Sequence, residues 1–298
     1  MTLRPVGHSD QKGAQRRAAW HTKLERVLIW GTGLGVNLQD LGSGRTTERP
    51  VRIGGALVTL VDPHRGHEVD YNRWYERDHS LAGCMIGAWT ISMGRFVATS
   101  DLKALRYPVD SPVAPDAAGS YLALYWVLAG KFGEWIQWGN EQVRWLYENN
   151  RMFEHRDHVH TLIYKFRTQY ESPDGVPVEL ALEHRSPYVV LIIGEPAAGK
   201  TLDDVDTWFG SRSMPGVVGA EFTAIPLPVE VASGVRADSA ENRFSQLWFV
   251  DDDLPALWDE NFATLGEDFS AAGLGELVLV APFRATVPGT DKYTDQLW

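Results

Sequence analysis

The sequence predicts an α+β protein of two tandem ferredoxin-like β-α-β-β-α-β units that face each other within one polypeptide. Three observations predict it. From residue 53 onward the alternation of apolar strands and amphipathic helices runs through the same order twice. Val69 to Tyr75 (VDYNRWY) recurs as Val205 to Phe209 (VDTWF), and Ile86-Gly87-Ala88 recurs as Val218-Gly219-Ala220. Internal duplication is the simplest account of such self-similarity. The expected organisation is a basic extension over 1–52, a first unit over 53–170 and a second over 186–298, with Ser172-Pro173-Asp174-Gly175 as the break.

In the first unit, Gly54 to Val61 reads as a buried strand stopped by Asp62-Pro63. A helix follows whose Val69, Trp74 and Tyr75 share a face, ending near Gly83. A strand over Ala88 to Ala98, a Pro-rich loop over Ser100 to Gly119 and a strand over Tyr121 to Val127 come next. Phe132, Trp135, Trp138, Val143, Trp145 and Leu146 mark a second helix over Phe132 to Asn150. The last strand, His158 to Phe166, places His158, His160, Leu162, Tyr164 and Phe166 on one side by two-residue alternation. The second unit repeats this with strands at Tyr188 to Gly194, Val217 to Ile225, Phe244 to Val250 and Glu276 to Phe283. Its helices are expected at Leu202 to Phe209 and Leu254 to Ala271.

Composition sets the class. At 298 residues, 44% hydrophobic and 22% charged, the chain has the balance of a globular protein with material for two cores. A net charge of −11 argues against a nucleic-acid partner, which needs a basic stripe to displace counterions. Residues 1–52 hold nine Lys/Arg against four Asp/Glu, a local +5 that leaves −16 on the rest, so the extension can lie on the acidic body. Val27-Leu28-Ile29-Trp30 falls far short of the roughly 20 apolar residues of a membrane span, and no secretory signal is evident. A single cysteine, Cys84, set among apolar neighbours, reads as a small buried hydrophobe and suits a reducing, cytoplasmic setting.

The run Asp70-Tyr71-Asn72-Arg73-Trp74-Tyr75-Glu76-Arg77-Asp78-His79 resembles the first-helix signature of the dimeric α/β-barrel superfamily, particularly its EthD-like members. There an Asn-Arg-Trp-Tyr run leads to an acidic pair and a His. The segment from Val287-Pro288-Gly289-Thr290-Asp291 to Trp298 resembles the same group, and the likeness covers about 53 to 298. It implies two ferredoxin-like units packed sheet to sheet around an apolar cavity, here fused in one chain to give a pseudo-dimeric barrel. Cofactor-free oxygenation, isomerisation, cyclisation or lyase chemistry is implied by some members and haem chemistry by others, and fold does not choose among these. Self-association into a homo-oligomer is left open.

His79 has no counterpart in the second unit, where the matching stretch reads Phe209-Gly210-Ser211-Arg212-Ser213-Met214-Pro215, so one half is expected to hold the site. A His ending a helix also interacts favourably with the terminal carbonyls without any chemistry. The candidate catalytic groups are His79 assisted by Asp78, with His160 and Tyr164 as a second pair if their strand face points into the barrel. The candidate substrate-binding aromatics are Trp74, Tyr75, Trp126 and Trp248, the last two in similar places in the third strands. Most of the twelve tryptophans are expected in the core. His155, Asp157, His158 and His160 invite a metal reading, but no fourth ligand on the same face is evident and no metal is assigned.

Gly194-Glu195-Pro196-Ala197-Ala198-Gly199-Lys200-Thr201 matches the phosphate-loop pattern letter for letter, with Asp251 after an apolar strand as a second acid. Against an NTPase, residues 202 to 298 spell a ferredoxin-like unit and the following helix begins with Asp203, Asp204 and Asp206, which repel a triphosphate. Gly31-Thr32-Gly33-Leu34-Gly35-Val36 lacks the βαβ context of a dinucleotide fingerprint. The expectation is an enzyme without organic cofactor acting on a small hydrophobic molecule. A non-catalytic ligand-binding or scaffold protein is the alternative, and an NTPase comes last.

Overall fold

The computed structural model describes residues 51–171, 175–225 and 243–298. The expectations for the 1–52 extension and for Gly31 to Val36 therefore lie outside the described residues, apart from its last two positions. Residues 51–298 form one compact unit. Eight strands, β1 (Ile53–Pro63), β2 (Thr90–Val97), β3 (Tyr121–Leu128), β4 (Arg156–Glu171), β5 (Tyr188–Pro196), β6 (Val218–Ile225), β7 (Phe244–Val250) and β8 (Gly275–Ala285), close into an antiparallel barrel. Their order is β1-β3-β2-β8-β5-β7-β6-β4. Each ferredoxin-like half contributes four neighbouring strands, and the halves meet where β4 pairs with β6 and β2 with β8. The predicted α+β pseudo-dimeric barrel is the fold.

Alternation along the strands divides their residues between lumen and outer face. Leu60, Leu122, Leu124, Trp126, Leu162, Tyr164, Leu191, Ile193, Phe222, Leu247, Phe249, Leu279 and Phe283 point inward and interdigitate in one apolar cluster. Trp126 packs its ring on Phe222 at 5.5 Å between centroids and is fully buried. An eight-stranded barrel is just wide enough for side chains to fill, and this one is filled. Its lower end, where β3 and β7 finish, is closed by the turn Val178–Leu180 and the short α-helix Ala181–His184, whose Val178, Ala181 and Leu182 join the inner cluster.

Helices cover both outer faces. Over the first half lies α1 (Glu68–Trp74), prolonged by π-helical turns over Tyr75–His79 and Leu81–Met85, followed later by α2 (Ser100–Lys103) and α3 (Phe132–Glu148). With the lower-end helix Ala181–His184 as α4, the second half carries α5 (Leu202–Gly210), α6 (Leu254–Asn261) and α7 (Leu265–Ala271). A capping box starts α5: Thr201 Oγ1 accepts from the Asp204 amide and the Asp204 carboxylate accepts from the Thr201 amide.

Four expectations need correction. The single helix over Leu254 to Ala271 is two, because Phe262 leaves helical geometry to stack on Trp258 at 5.2 Å within the core. Ile86-Gly87-Ala88 precedes β2 as a turn, whereas Val218-Gly219-Ala220 lies in β6. His158 and His160 do not share a face: a register shift sets His160 opposite Leu60 and His158 opposite Val61, so His160 belongs to the lumen and His158 to the outer layer. Trp126 and Trp248 also part, since Trp126 is luminal while Trp248 lies under the second helical layer.

At the β4/β6 seam the outer face buries a carboxylate. Glu221 on β6 accepts from Gln246 Nε2 at 2.6 Å and from Tyr170 Oη at 3.0 Å, and Arg167 on β4 stands 3.2 Å away while also holding Asp203 and Asp206 of α5. Burial, reinforced by the Asp206 carboxylate, raises the Glu221 pKa to about 8. The folded chain thus holds this proton more tightly than the unfolded chain does. The resulting stabilisation is complete below about 4.5, the ordinary Glu value, and is lost as pH rises through about 8. Thermal melts of Glu221→Gln are therefore expected to fall less steeply from pH 5 to 9 than those of the parent. Equal slopes would remove Glu221 as the cause.

Candidate functional site

On the luminal face of β4, His160 Nε2 lies 2.9 Å from Tyr164 Oη, both residues buried. With Nε2 unprotonated, the tyrosine hydroxyl donates to it. Period-two spacing places the two side chains on one face, and the pairing of Tyr164 with Ala56 and Ala224 leaves small neighbours on either side of its ring. The luminal wall mixes polar and apolar groups. The polar ones are His160, Tyr164, the Glu195–Arg243 pair at 2.6 Å and Ser245, whose buried Oγ has no hydrogen-bond partner among the described residues. Asp62 caps the upper end by accepting from the Gly119 and Ser120 amides at 2.6 and 2.7 Å. Trp126, level with Tyr164 across Ala56, donates from Nε1 to the Val178 carbonyl at 3.1 Å.

His79 is placed elsewhere, in the outer helical layer of the first half. It stacks on Trp74 at 4.5 Å and meets the edge of Tyr75 at 5.3 Å. Burial, with Arg156 nearby, pushes its imidazole down to about 3, so it is neutral at physiological pH, and its Nδ1 has no hydrogen-bond partner among the described residues. Asp78 does not orient it: the carboxylate faces Arg151, with contacts of 2.5 and 3.1 Å. Tyr75 Oη is 2.6 Å from Tyr125 Oη, and Trp74 Nε1 donates to the Arg151 carbonyl at 2.9 Å. The sequence candidates thus fall into three groups: His160, Tyr164 and Trp126 in the lumen, His79, Asp78, Trp74 and Tyr75 outside the first sheet, and Trp248 outside the second. Cys84 is buried and its thiol is pushed up to about 12, as expected of a packing residue.

Several first-helix signature residues hold the C-terminal segment. Asn72 Nδ2 donates to the Thr290 carbonyl at 2.8 Å, Arg73 pairs with Asp291 at 2.5 Å, and Glu76 accepts from the Gly289 amide at 2.8 Å. Beneath them Arg95, unremarked in the sequence, is buried against the rings of Tyr71, Tyr75 and Tyr121, with Cζ 4.3 Å from the Tyr121 centroid. Only its place in an otherwise apolar strand alternation could have marked it.

Three further sequence patterns resolve. His155 stacks on His67 at 3.8 Å and so leaves the other two histidines of its cluster, and no three His, Cys, Asp or Glu side chains among the described residues are placed to share a metal ion. Haem does not fit the lumen, because a porphyrin needs the space that Trp126, Phe222 and Phe249 fill. The phosphate-loop letters, already disfavoured by the sequence, do not take up phosphate-loop geometry. The amides of Ala197, Lys200 and Thr201 are spent on the Leu274 carbonyl, the Ala197 carbonyl and the Asp204 carboxylate. The antiparallel register pairs Tyr188 with Val250, so Asp251 sits at the start of β5, roughly 25 Å from the loop at its end. There it bonds His184 at 2.8 Å.

No protein-family model matches the chain, and a search of curated proteins finds no significant match. Among solved structures it is similar to an anthrone oxidase-like protein at 10% identity and a TM-score of 0.47, covering 80% of this chain and 95% of that one. It is similar to a protein provisionally named a chlorite dismutase at 12% identity and a TM-score of 0.46, covering 83% and 100%. It is also similar to an arginine-to-leucine variant of Rhodococcus jostii RHA1 DypB in complex with heme, at 11% identity and a TM-score of 0.44, covering 82% and 96%. No described helix is long and apolar enough to cross a membrane.

The phosphate-loop geometry gives a direct expectation. Calorimetric titration with ATP and Mg²⁺ should show no saturable binding, and Lys200→Ala, an exposed loop substitution, should change stability by less than about 0.5 kcal/mol. Micromolar nucleotide binding that Lys200→Ala abolishes would reverse this reading.

Proposed function

We propose that the chain is an enzyme that moves protons on a small, largely apolar molecule without an organic cofactor, with His160 and Tyr164 as its acid–base pair. The observation that carries this reading is the 2.9 Å hydrogen bond between them on the luminal face of the barrel, against a mainly apolar cluster. An imidazole and a phenol so linked can pass one proton along the bond, and apolar surroundings favour that over separated charges. The EthD-like resemblance of residues 70–79 agrees, since cofactor-free chemistry of the lyase, isomerase, cyclase or oxygenase kind is among the activities it implies. In this reading Trp126 bounds the reaction chamber, and His79 supports the helix that frames it. The acidic net charge and the single buried thiol agree with a cytoplasmic protein that takes small molecules rather than nucleic acid as partners.

A second reading, a binding or scaffold protein without chemistry, is favoured by one observation: the lumen is filled, with Trp126, Tyr164, Phe222 and Phe249 all essentially without exposure. Catalysis then requires the upper end to open. The two readings separate in deuterium oxide, where NMR follows solvent exchange at the acidic carbon of a panel of enolisable aromatic ketones. The enzyme is expected to accelerate exchange for at least one member. His160→Ala should lower that rate by about 100-fold, within the usual range for a general acid or base, and shape-preserving Tyr164→Phe should also lower it. His79→Phe should retain it. Absence of exchange across the panel, or equal rates in the parent and both β4 variants, would favour the scaffold.

A further inference from the structure

A cavity of about 420 Å³ lies at the upper flank of the barrel, between the β2–β3 crossover and the C-terminal segment. Its floor is apolar, with Ala104, Ala114, Leu279 and Leu297 in its lining, and Val109 stands fully open at its rim. Three cations face it, Arg65, Lys103 and Arg106, against one acid, Asp116. On a chain of net charge −11 such a local excess of positive charge is a feature in itself.

The three cations are held in different ways. Arg106 is buried and donates to the carbonyls of Ala118 and Gly119 at 2.6 and 2.7 Å, while its Nε has no partner among the described residues. Arg65 and Lys103 form no ion pair among the described residues. Both instead rest on the indole of Trp298, at 4.7 and 4.5 Å from its centroid, and the indole is fixed in turn by donating to Glu68 at 2.7 Å. Burial lowers the Lys103 pKa to about 8, outweighing an opposing pull from Asp62, and the smaller effects of Arg106 and Arg65 act in the same direction as burial. Arg65 and Lys103 have Glu68 and Asp116 in their neighbourhood but form an ion pair with neither, and at the mouth of an apolar cleft they match an amphipathic anion: the head group against Arg65 and Lys103, the body on the floor.

We propose that this cavity binds a small apolar molecule carrying one anionic head group, with Arg65 and Lys103 as its head-group contacts. Neither His160 nor Tyr164 lines the cavity, and the site does not depend on their chemistry. The test is calorimetric titration of the full chain with 2-naphthoate, 2-naphthyl phosphate and the uncharged 2-naphthylmethanol. At least one of the two anions is expected to bind saturably at one site, at least tenfold more tightly than the alcohol, and the stronger of the two identifies the head group. Lys103→Met, which keeps the apolar stem, and Arg65→Gln, at an exposed position, should each weaken that binding about tenfold while melting like the parent. Equal affinity for anion and alcohol would overturn the proposal. So would anion binding unchanged in both variants, or no saturable binding of either anion below about 1 mM.

Discussion

The sixteen residues of β4 carry hydrogen bonds to β1 along one edge and to β6 along the other, and this shared strand makes two sheets into one barrel. The opposite seam is much weaker. β2 and β8 match at only two residue pairs, Phe96 with Ala285 and Val97 with Arg284. Beyond them the β2–β3 crossover completes the edge of β8: Tyr107 and Val280 exchange both backbone hydrogen bonds, at 3.0 and 2.6 Å, and Ser111 Oγ donates to the Val278 carbonyl at 2.6 Å. Closure abolishes exposed strand edges and fixes the lumen at a width that side chains fill. The cationic cavity lies where the loop replaces a strand, because a loop follows the barrel wall less closely than a paired strand does.

Much of this was legible in the sequence, and the reasons are local. The element order followed from apolar runs bounded by Pro and Gly, whereas the repeated Val-Asp pair does not mark equivalent places, since Val69 is exposed near the start of α1 and Val205 is buried further along α5. Strand facing was less legible. Parity counted from His158 fails at the register shift before His160, because one inserted residue reverses every side chain beyond it. A one-residue offset also separates Trp126, the sixth residue of β3, from Trp248, the fifth of β7, so the two face opposite ways. The phosphate-loop pattern matched at the level of letters, whereas three carboxylates in the first turns of the following helix, at 203, 204 and 206, already pointed away from phosphate. Asp204 proves to occupy the very amide that a phosphate would need.

The helix signature at 70–79 shows why a run of polar residues need not be catalytic. Asn72, Arg73 and Glu76 are spaced at one and three positions, and all three bond the segment at 289–291, more than two hundred residues away. Leu297, buried in the first outer cluster, anchors the same segment further on. These contacts explain the joint occurrence of the helix motif and the closing Val-Pro-Gly-Thr-Asp run without assigning chemistry to either. They also bear on His79: a neutral imidazole stacked on Trp74 over a π-helical turn fills space between helix and sheet, and its neighbour Asp78 is committed to Arg151.

Divergence between the halves is sharpest at a pair of buried ionisable groups. Arg95 on β2 lies opposite Ala123, and Glu221 on β6 lies opposite Gln246. Tyr125 and Trp248, each two residues further along β3 and β7, occupy matching places on the outer faces, so Arg95 and Glu221 are equivalent by register. One half buries a cation among tyrosine rings, and the other buries a carboxyl group beside Tyr170 and Gln246 that burial keeps largely protonated at neutral pH. Such groups are costly to bury unless hydrogen-bonded or paired, and both are: Arg95 with Asn72 and Glu76, Glu221 with Tyr170 and Gln246. Each sits at a seam, Arg95 receiving Thr286 of the chain beyond β8 through its carbonyl and Glu221 facing Arg167 of β4. A cation at one seam and a protonatable acid at the other make the two junctions chemically distinct. A strand from one half placed at the wrong seam would set Glu221 among tyrosines without Arg167, or Arg95 beside Arg167, and the cost of either arrangement selects the observed pairing.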